Sequence, residues 1–126
     1  MDLNEHPGFV RDGKMYALIH HREDWAEILS AFGELDLSVA DELEAAIAGR
    51  LRGMRPVGLD FEYCQYIDST ILRVLVRANR TAADRLWLVV PPGARVRRIF
   101  EMTRLDQALA VVDSRDGLRD RLTLSH

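Results

Sequence analysis

The stretch Pro56–Val90, PVGLDFEYCQYIDSTILRVLVRANRTAADRLWLVV, decides the fold. Its first run, Pro56–Phe61, is short and apolar, with the proline at its mouth where no ladder donor is needed, and reads as a buried strand. Tyr63–Ile67 reads as a crossover. Asp68-Ser69-Thr70 then opens a helix whose inner face is Ile71, Val74, Leu75, Ala78 and Ala82. Leu86–Val90 is continuously apolar, the pattern of a central strand covered on both sides. Strand, helix and strand in this order predict a parallel crossover unit.

The flanks extend that alternation. Toward the N-terminus, Met15–His20 (MYALIH) and Trp25–Phe32 (WAEILSAF) are β-type runs separated by the polar turn His21-Arg22-Glu23-Asp24, which predicts a hairpin. Ser38, followed by Asp41 and Glu42, is a helix start with first-turn carboxylates, which suit the positive end of a helix. Val39, Leu43, Ile47 and Leu51, widened by Ala46, give that helix an apolar stripe ending near Gly53. Toward the C-terminus, Pro91-Pro92-Gly93 breaks the chain, and Val96, Ile99, Phe100 and Thr103 outline a third helical face. A strand at Leu109–Asp113 follows, then a last helix capped by Ser114 with Leu118 and Leu122 inward. The expectation is an α/β fold: one domain over residues 14–126, a mixed sheet of about five strands, and helices packed mainly on one face. Residues 1–13, polar and glycine-bearing, read as a flexible N-terminal arm.

Composition narrows the function classes. A chain of 126 residues with 48% apolar content fits one globular domain and can bury a core without disulfides. Its 17 basic and 20 acidic residues give a net charge of −3, which argues against global attraction to nucleic acid or membrane surfaces. A single cysteine excludes an internal disulfide framework and fits a reducing compartment. The N-terminal residues carry acidic groups and Pro7-Gly8 where a secretory signal would be basic and then apolar. No apolar run approaches the roughly 20 residues that span a bilayer. A cytoplasmic protein without membrane insertion is expected.

Enzyme machinery is mostly absent from the sequence. There is no glycine-rich phosphate loop, no H-E-x-x-H and no paired-cysteine spacing, so no catalytic residue, metal or cofactor is expected. His20 and His21 are adjacent, so on a strand they point to opposite faces and do not chelate together. Cys64 reads as a small buried hydrophobe, because nothing near it would lower its pKa. Asp60 and Asp68 are expected to lie near each other at the sheet's end. Asp68-Ser69-Thr70 has two readings. Plain capping explains a carboxylate and hydroxyls at a helix start. A phosphorylation switch explains them as well, since a phosphate at a helix N-terminus meets unpaired N–H groups and a favourable dipole.

Four motifs in family-like order carry a resemblance: Gly33-Glu34-Leu35-Asp36, Leu59-Asp60, Ile67-Asp68-Ser69-Thr70, and Val96–Leu105 (VRRIFEMTRL). From about Met15 to Leu122 the chain resembles a STAS domain, the fold of the bacterial anti-sigma factor antagonists and their relatives. The resemblance implies a mixed sheet with helices on one side, in agreement with the pattern above. It also implies a regulatory protein-binding domain. In the antagonists, the serine after the aspartate is phosphorylated by an anti-sigma factor with serine-kinase activity, and the unphosphorylated form binds that kinase and frees the sigma factor. Mapped here, that serine is Ser69, with Asp68 before it and Asp36 in the adjoining turn. The partner-binding surface implied comprises Asp36, Asp68, Thr70, Leu72, Arg73, Val76 and Arg77.

The sequence departs from the family pattern at one position. Ile71 stands where glycine is usual, and a β-branched side chain there is expected to crowd the approach to Ser69. Tyr63 and Tyr66 make the preceding segment bulkier and more apolar. Of the 17 basic residues, 16 are arginines; Arg73, Arg77 and Arg80 lie at i, i+4, i+7 on the outer face of the helix after Ser69. Arg95, Arg97, Arg98 and Arg104 decorate the next helix. Leu72 and Val76 flank the first set, a pattern suited to an acidic protein partner. Nucleic acid is not expected, since no aromatic residues interleave with the arginines. Three further associations stay open: a homodimer, a non-phosphorylated STAS subunit that stabilises a transporter ATPase or a larger signalling assembly, and a small-molecule or nucleotide-binding regulator or hydrolase using Asp36, Asp60 and Asp68.

Overall fold

The computed structural model describes residues 6–11 and 14–124. Six strands form one sheet in the order β1-β2-β3-β4-β5-β6, that is, in chain order. β1 (His6–Arg11) pairs antiparallel with β2 (Lys14–Arg22), and β2 pairs antiparallel with β3 (Glu27–Leu35) as the expected hairpin. From β3 onward every neighbour is parallel: β4 (Val57–Ile67), β5 (Leu86–Val89) and β6 (Val111–Val112). The mixed sheet of about five strands is therefore present as β2–β6, with β1 added at one edge. That addition corrects the reading of residues 1–13 as an arm: the backbone of His6–Arg11 joins the sheet, while residues 1–5, 12 and 13 lie outside the described residues.

Between the parallel strands run α1 (Ala40–Leu51), preceded by a 3-10 turn at Leu37–Val39, α2 (Ser69–Thr81), and the pair α3 (Arg97–Met102) and α4 (Leu105–Ala108). α3 and α4 are separate because Arg104 takes a left-handed backbone (φ 61°) that ends the first helix. α5 (Arg115–Leu124) closes the chain.

Strand alternation sends side chains to two unequal cores. Leu29, Ala31, Leu59, Phe61, Leu86, Leu88 and Val90 face the larger one, where they meet Leu43 and Ile47 of α1 and Ile71, Val74 and Leu75 of α2. Ile71 and Leu75 are fully buried, and each such side chain contributes about 1.5–3 kcal/mol by leaving water. On the other side, Ile28, Val89 and Val112 meet Leu118 of α5, with Trp25, Trp87 and Leu122 at the margin. The helices thus lie mainly on one face, with α5 alone covering part of the second. Gly58 explains how close α5 comes: a Cβ there would sit 2.8 Å from Leu118 Cδ2 and 3.0 Å from Ile28 Cδ1.

β4 is the element that departs most from expectation. It does not end at Phe61 but continues through the segment read as a crossover, for 11 residues in all. Its register against β3 slips twice, Ser30↔Asp60 being followed by Phe32↔Tyr63, and Gly33↔Cys64 by Glu34↔Tyr66. At each slip β4 spends one residue more than β3, as a bulge does. Buried positions consequently run Leu59, Phe61, Cys64, Ile67, and the intervening tyrosines turn outward.

Candidate functional site

The site forms where β3 and β4 end. Leu35 pairs with Ile67 in the last rung, so the next residues, Asp36 and Asp68, leave the sheet side by side. Each carboxylate caps the turn that follows it. Asp36 accepts from the Ser38 N–H at 2.9 Å and from the Ser38 hydroxyl at 2.6 Å, starting the 3-10 turn. Asp68 Oδ1 accepts from the Ile71 N–H at 3.1 Å, the expected N-cap of α2. Its other oxygen reaches across to the preceding connection and accepts from the Leu37 N–H at 3.0 Å. One side chain therefore ties the β3–α1 turn to the start of α2. Gly33, two residues into the same end of β3 from Leu35, is required by close approach: its φ is +77°, and a Cβ would lie 2.2 Å from the Met15 carbonyl oxygen.

Ser69 is the first residue of α2 and is exposed; Thr70 beside it is half-buried. The crowding expected from Ile71 does not arise, because its side chain is fully buried in the larger core and turns away from the helix end. Along the outer face of α2, Leu72, Arg73, Val76, Arg77 and Arg80 line a shallow groove of about 290 Å³. Leu72 and Val76 supply its apolar floor. Arg77 is held by α1, donating to Glu44 Oε2 from Nε at 3.1 Å and from Nη2 at 3.0 Å. Arg73 and Arg80 are exposed, with no carboxylate partner among the described residues. The face is thus an apolar strip with free positive charge on its rim.

Asp60 does not join this site. It is 2% exposed on the α5 side of the sheet, where Arg115 Nε donates to its Oδ2 at 2.6 Å and the Glu62 N–H donates to its Oδ1 at 2.9 Å. The same guanidinium donates through Nη2 to the Ser30 hydroxyl at 2.6 Å. Asp60 and Asp68 therefore share no cleft, and the acidic group at the helix start is Asp36 with Asp68. The reason is alternation: Asp60 lies two residues from Gly58 and on its face, whereas Asp68 follows two bulges and leaves the sheet altogether.

Other sequence candidates fall into structural roles. Cys64 is fully buried, and burial pushes its thiol from 9.0 up to about 11, which makes it a poor nucleophile. His20 and His21 differ in burial as alternation requires: His21 is exposed, whereas His20 is buried, 2.6 Å from Glu27 through Nε2. Arg97 is no surface decoration: it donates to the Val90 carbonyl at 2.7 Å and to Asp113 at 3.1 Å, binding α3 to the ends of β5 and β6.

Sequence reasoning missed an apolar surface next to the site. Leu37 is 70% exposed, Tyr63 55% and Tyr66 44%. Tyr63 stacks in parallel on Phe32 with ring centroids 5.6 Å apart, on the part of the sheet that α5 leaves open. The tyrosines were legible as bulky residues, but their common face follows from the bulges in β4. Leu37 carried its own signal: it lies between two capping residues, on neither a helical nor a strand face.

Comparisons with known proteins agree with this geometry. A family model described as "Mlab, STAS domain" matches residues 21–113. Among solved structures, the chain is similar to an anti-sigma factor antagonist from Mycobacterium paratuberculosis, with a TM-score of 0.76 and 21% identity over 85% of this chain and 93% of that one. It is similar to a putative anti-sigma factor antagonist from Thermotoga maritima, with a TM-score of 0.70 and 21% identity over 83% of this chain and 93% of that one. It is also similar to the anti-sigma factor antagonist SpoIIAA in its unphosphorylated form, with a TM-score of 0.65 and 22% identity over 83% of this chain and 95% of that one. At these identities the likeness is one of fold. Comparison with curated proteins yields no match.

Proposed function

The chain belongs to the STAS domain family, and from that premise we propose that it is a regulatory protein-binding domain of the anti-sigma factor antagonist type. It acts by contact and not by catalysis: its partner is an anti-sigma factor with serine-kinase activity, and Ser69 is the residue that partner phosphorylates. The observation that carries the reading is the exposed Ser69, set by the Asp68 cap at the start of α2, one turn before the arginine-rimmed groove.

The mechanism follows from charge. Arg73 and Arg80 attract an acidic partner and steer its approach, while Leu72 and Val76 supply the contact that excludes water. The Ser69 and Thr70 N–H groups at the start of α2 have no intrahelical acceptor, so a phosphate on Ser69 is accommodated without melting the helix. That phosphate brings about −1.5 to −2 charge beside Asp36 and Asp68. The unmodified end of α2 accepts an acidic surface, and the modified end repels it. Docking and release therefore use the same helix.

The test is incubation of the full chain with the anti-sigma factor kinase of the same genome and ATP, with the phosphate located by mass spectrometry. Modification at Ser69 and loss of binding in Ser69→Asp are the expected results. An unmodified Ser69 together with unchanged binding by Ser69→Asp overturns the reading. A second reading draws on the exposed Leu37, Tyr63 and Tyr66, since permanent interfaces are more apolar than transient ones. In it the chain is a non-phosphorylated subunit of a transporter ATPase or a larger signalling assembly. Copurification with such an ATPase, with no kinase bound, favours it.

A further inference from the structure

At the opposite end of the sheet from Ser69 lies a cavity of about 450 Å³ lined by His20, Arg22, Glu27, Gly49, Arg50, Gly53 and Arg55. Glu27 and Leu35 mark the two ends of β3, eight residues apart, so the cavity and the start of α2 at Ser69 are separated by about 26 Å along the strand. The volume is that of a small-molecule site. Its walls are the end of the β2–β3 hairpin, the last turn of α1 and the segment leading into β4. Open space borders the α1 wall, since a Cβ on Gly49 would meet nothing within 4 Å.

Charge is unbalanced inside it. Three arginines face one carboxylate. Glu27, only 12% exposed, is shared by His20 at 2.6 Å, Arg55 Nε at 2.9 Å and Arg22 Nε at 3.3 Å. Arg55 is further fixed by donating to the backbone carbonyls of Glu23 and Ala26. Arg22 engages Glu27 through Nε and is 69% exposed, which leaves its terminal nitrogens for a ligand. The Arg50 side chain makes no hydrogen bond or ion pair with the described residues. Two features that would oppose an anion are already occupied. The carboxylate of Glu23 is turned to His21, 2.9 Å away. Arg85 covers the C-terminal carbonyls of α1, donating to those of Leu51 at 2.8 Å and Gly53 at 2.6 Å, which offsets the partial negative charge of that helix end.

We infer that this cavity binds a phosphate or diphosphate group, held by Arg22 and Arg50, at a site separate from the partner-binding helix. Guanidinium groups suit that chemistry because their planar donors match two phosphate oxygens at once. Glu27 acts as a positioning residue, holding Arg22 and Arg55 at the cavity wall. The site neither requires nor excludes the role assigned to Ser69.

The test is calorimetric titration of the full chain with ADP and with pyrophosphate at low salt, alongside sedimentation with phosphatidic acid vesicles. Saturable binding of ADP or pyrophosphate that weakens at least about tenfold in Arg50→Ala, and weakens with added salt, is the expected result. Recruitment to the vesicles without ADP binding, also lost in Arg50→Ala, assigns the phosphate to a lipid headgroup in the same cavity. Arg73→Ala, on α2, leaves either binding unchanged. The Arg50 side chain loses no hydrogen bond or ion pair with the described residues, so its variant stays folded and its unfolding midpoint shifts by no more than a few degrees, the effect of a charge in the last turn of α1. No binding of any of the three probes by the unmodified chain, or equal binding by Arg50→Ala, overturns the inference. Neither outcome bears on the phosphorylation of Ser69.

Discussion

Replacing Asp68 separates two jobs that one carboxylate performs. In Asp68→Ala the Ile71 N–H loses its acceptor, and loss of an N-cap costs about 1 kcal/mol. The Leu37 N–H loses its acceptor too. That bond is exposed, and water replaces part of it, so its loss adds roughly 1 kcal/mol. The sum is about 2 kcal/mol, or a fall of about 8 °C in the unfolding midpoint for a domain of this size. Asp68→Asn divides the two terms. Asparagine has one acceptor oxygen and caps helices as well as aspartate does, so it keeps the bond to Ile71. Its amide nitrogen cannot accept from Leu37. The expected cost is therefore about 1 kcal/mol, half that of alanine. Urea unfolding followed by tryptophan fluorescence suits the measurement, because Trp25 and Trp87 flank the smaller core, away from the substitution. Equal costs for the two variants, or a cost below about 0.5 kcal/mol for alanine, would refute the claim that Asp68 ties both loops together.

Three further outcomes follow from the packing. Gly58→Ala drives a methyl against Leu118 and Ile28 and costs about 1–3 kcal/mol by urea unfolding, and Leu118→Ala made in addition relieves part of that crowding. Arg115→Met leaves the buried Asp60 carboxylate without its cation; breaking such a pair costs about 3–5 kcal/mol, reduced here to about 2–3 because Arg115 is 38% exposed and water can enter. Adding Asp60→Asn recovers at least about 1 kcal/mol, and strict additivity in this double-mutant cycle would count against a coupled pair. The Cys64 thiol is raised by burial from 9.0 to about 11, so its contribution is fully present below pH 9 and is lost as pH rises through 11. The native thiol should stay unreactive toward disulfide reagents at neutral pH, and Cys64→Ala should flatten the stability profile between pH 9 and 11, where the full effect is at most about 2–3 kcal/mol.

Much of the fold was legible because local periodicity and core geometry agree. The hairpin, α1, α2 and β5 lie where their patterns put them, since each buries one face whose spacing matches its own period. The failures have particular causes. β4 was cut short at Phe61 because its two bulges convert an alternating pattern into Phe61, Cys64 and Ile67, three residues apart. A spacing of three resembles neither strand nor the full helical repeat. β1 was missed because Pro7 and Gly8 mark a turn or an arm in isolation, and a strand at the edge of a sheet tolerates both. Asp60 was misplaced because nearness in sequence says nothing about the side of a sheet, and Arg115, which neutralises it, lies 55 residues away.

The α/β class, the order of elements from the hairpin onward, the family, and Ser69 behind its aspartate at a helix start were all legible in the chain. All of these rest on interactions between residues close in the chain: periodic faces, caps and short motifs. Which charges work together depends on the folded arrangement. It joined Asp68 to Leu37, paired Asp60 with Arg115, left Arg73 and Arg80 with no carboxylate partner among the described residues, and gathered Arg22, Arg50 and Arg55 around Glu27. Charge acts through distance in space, and a parallel sheet brings strand ends together from segments some 30 residues apart, as it does with Leu35 and Ile67. The net charge of −3 is an average over those neighbourhoods; the fold sorts it into a basic helix face, an acidic helix start and a cationic cavity.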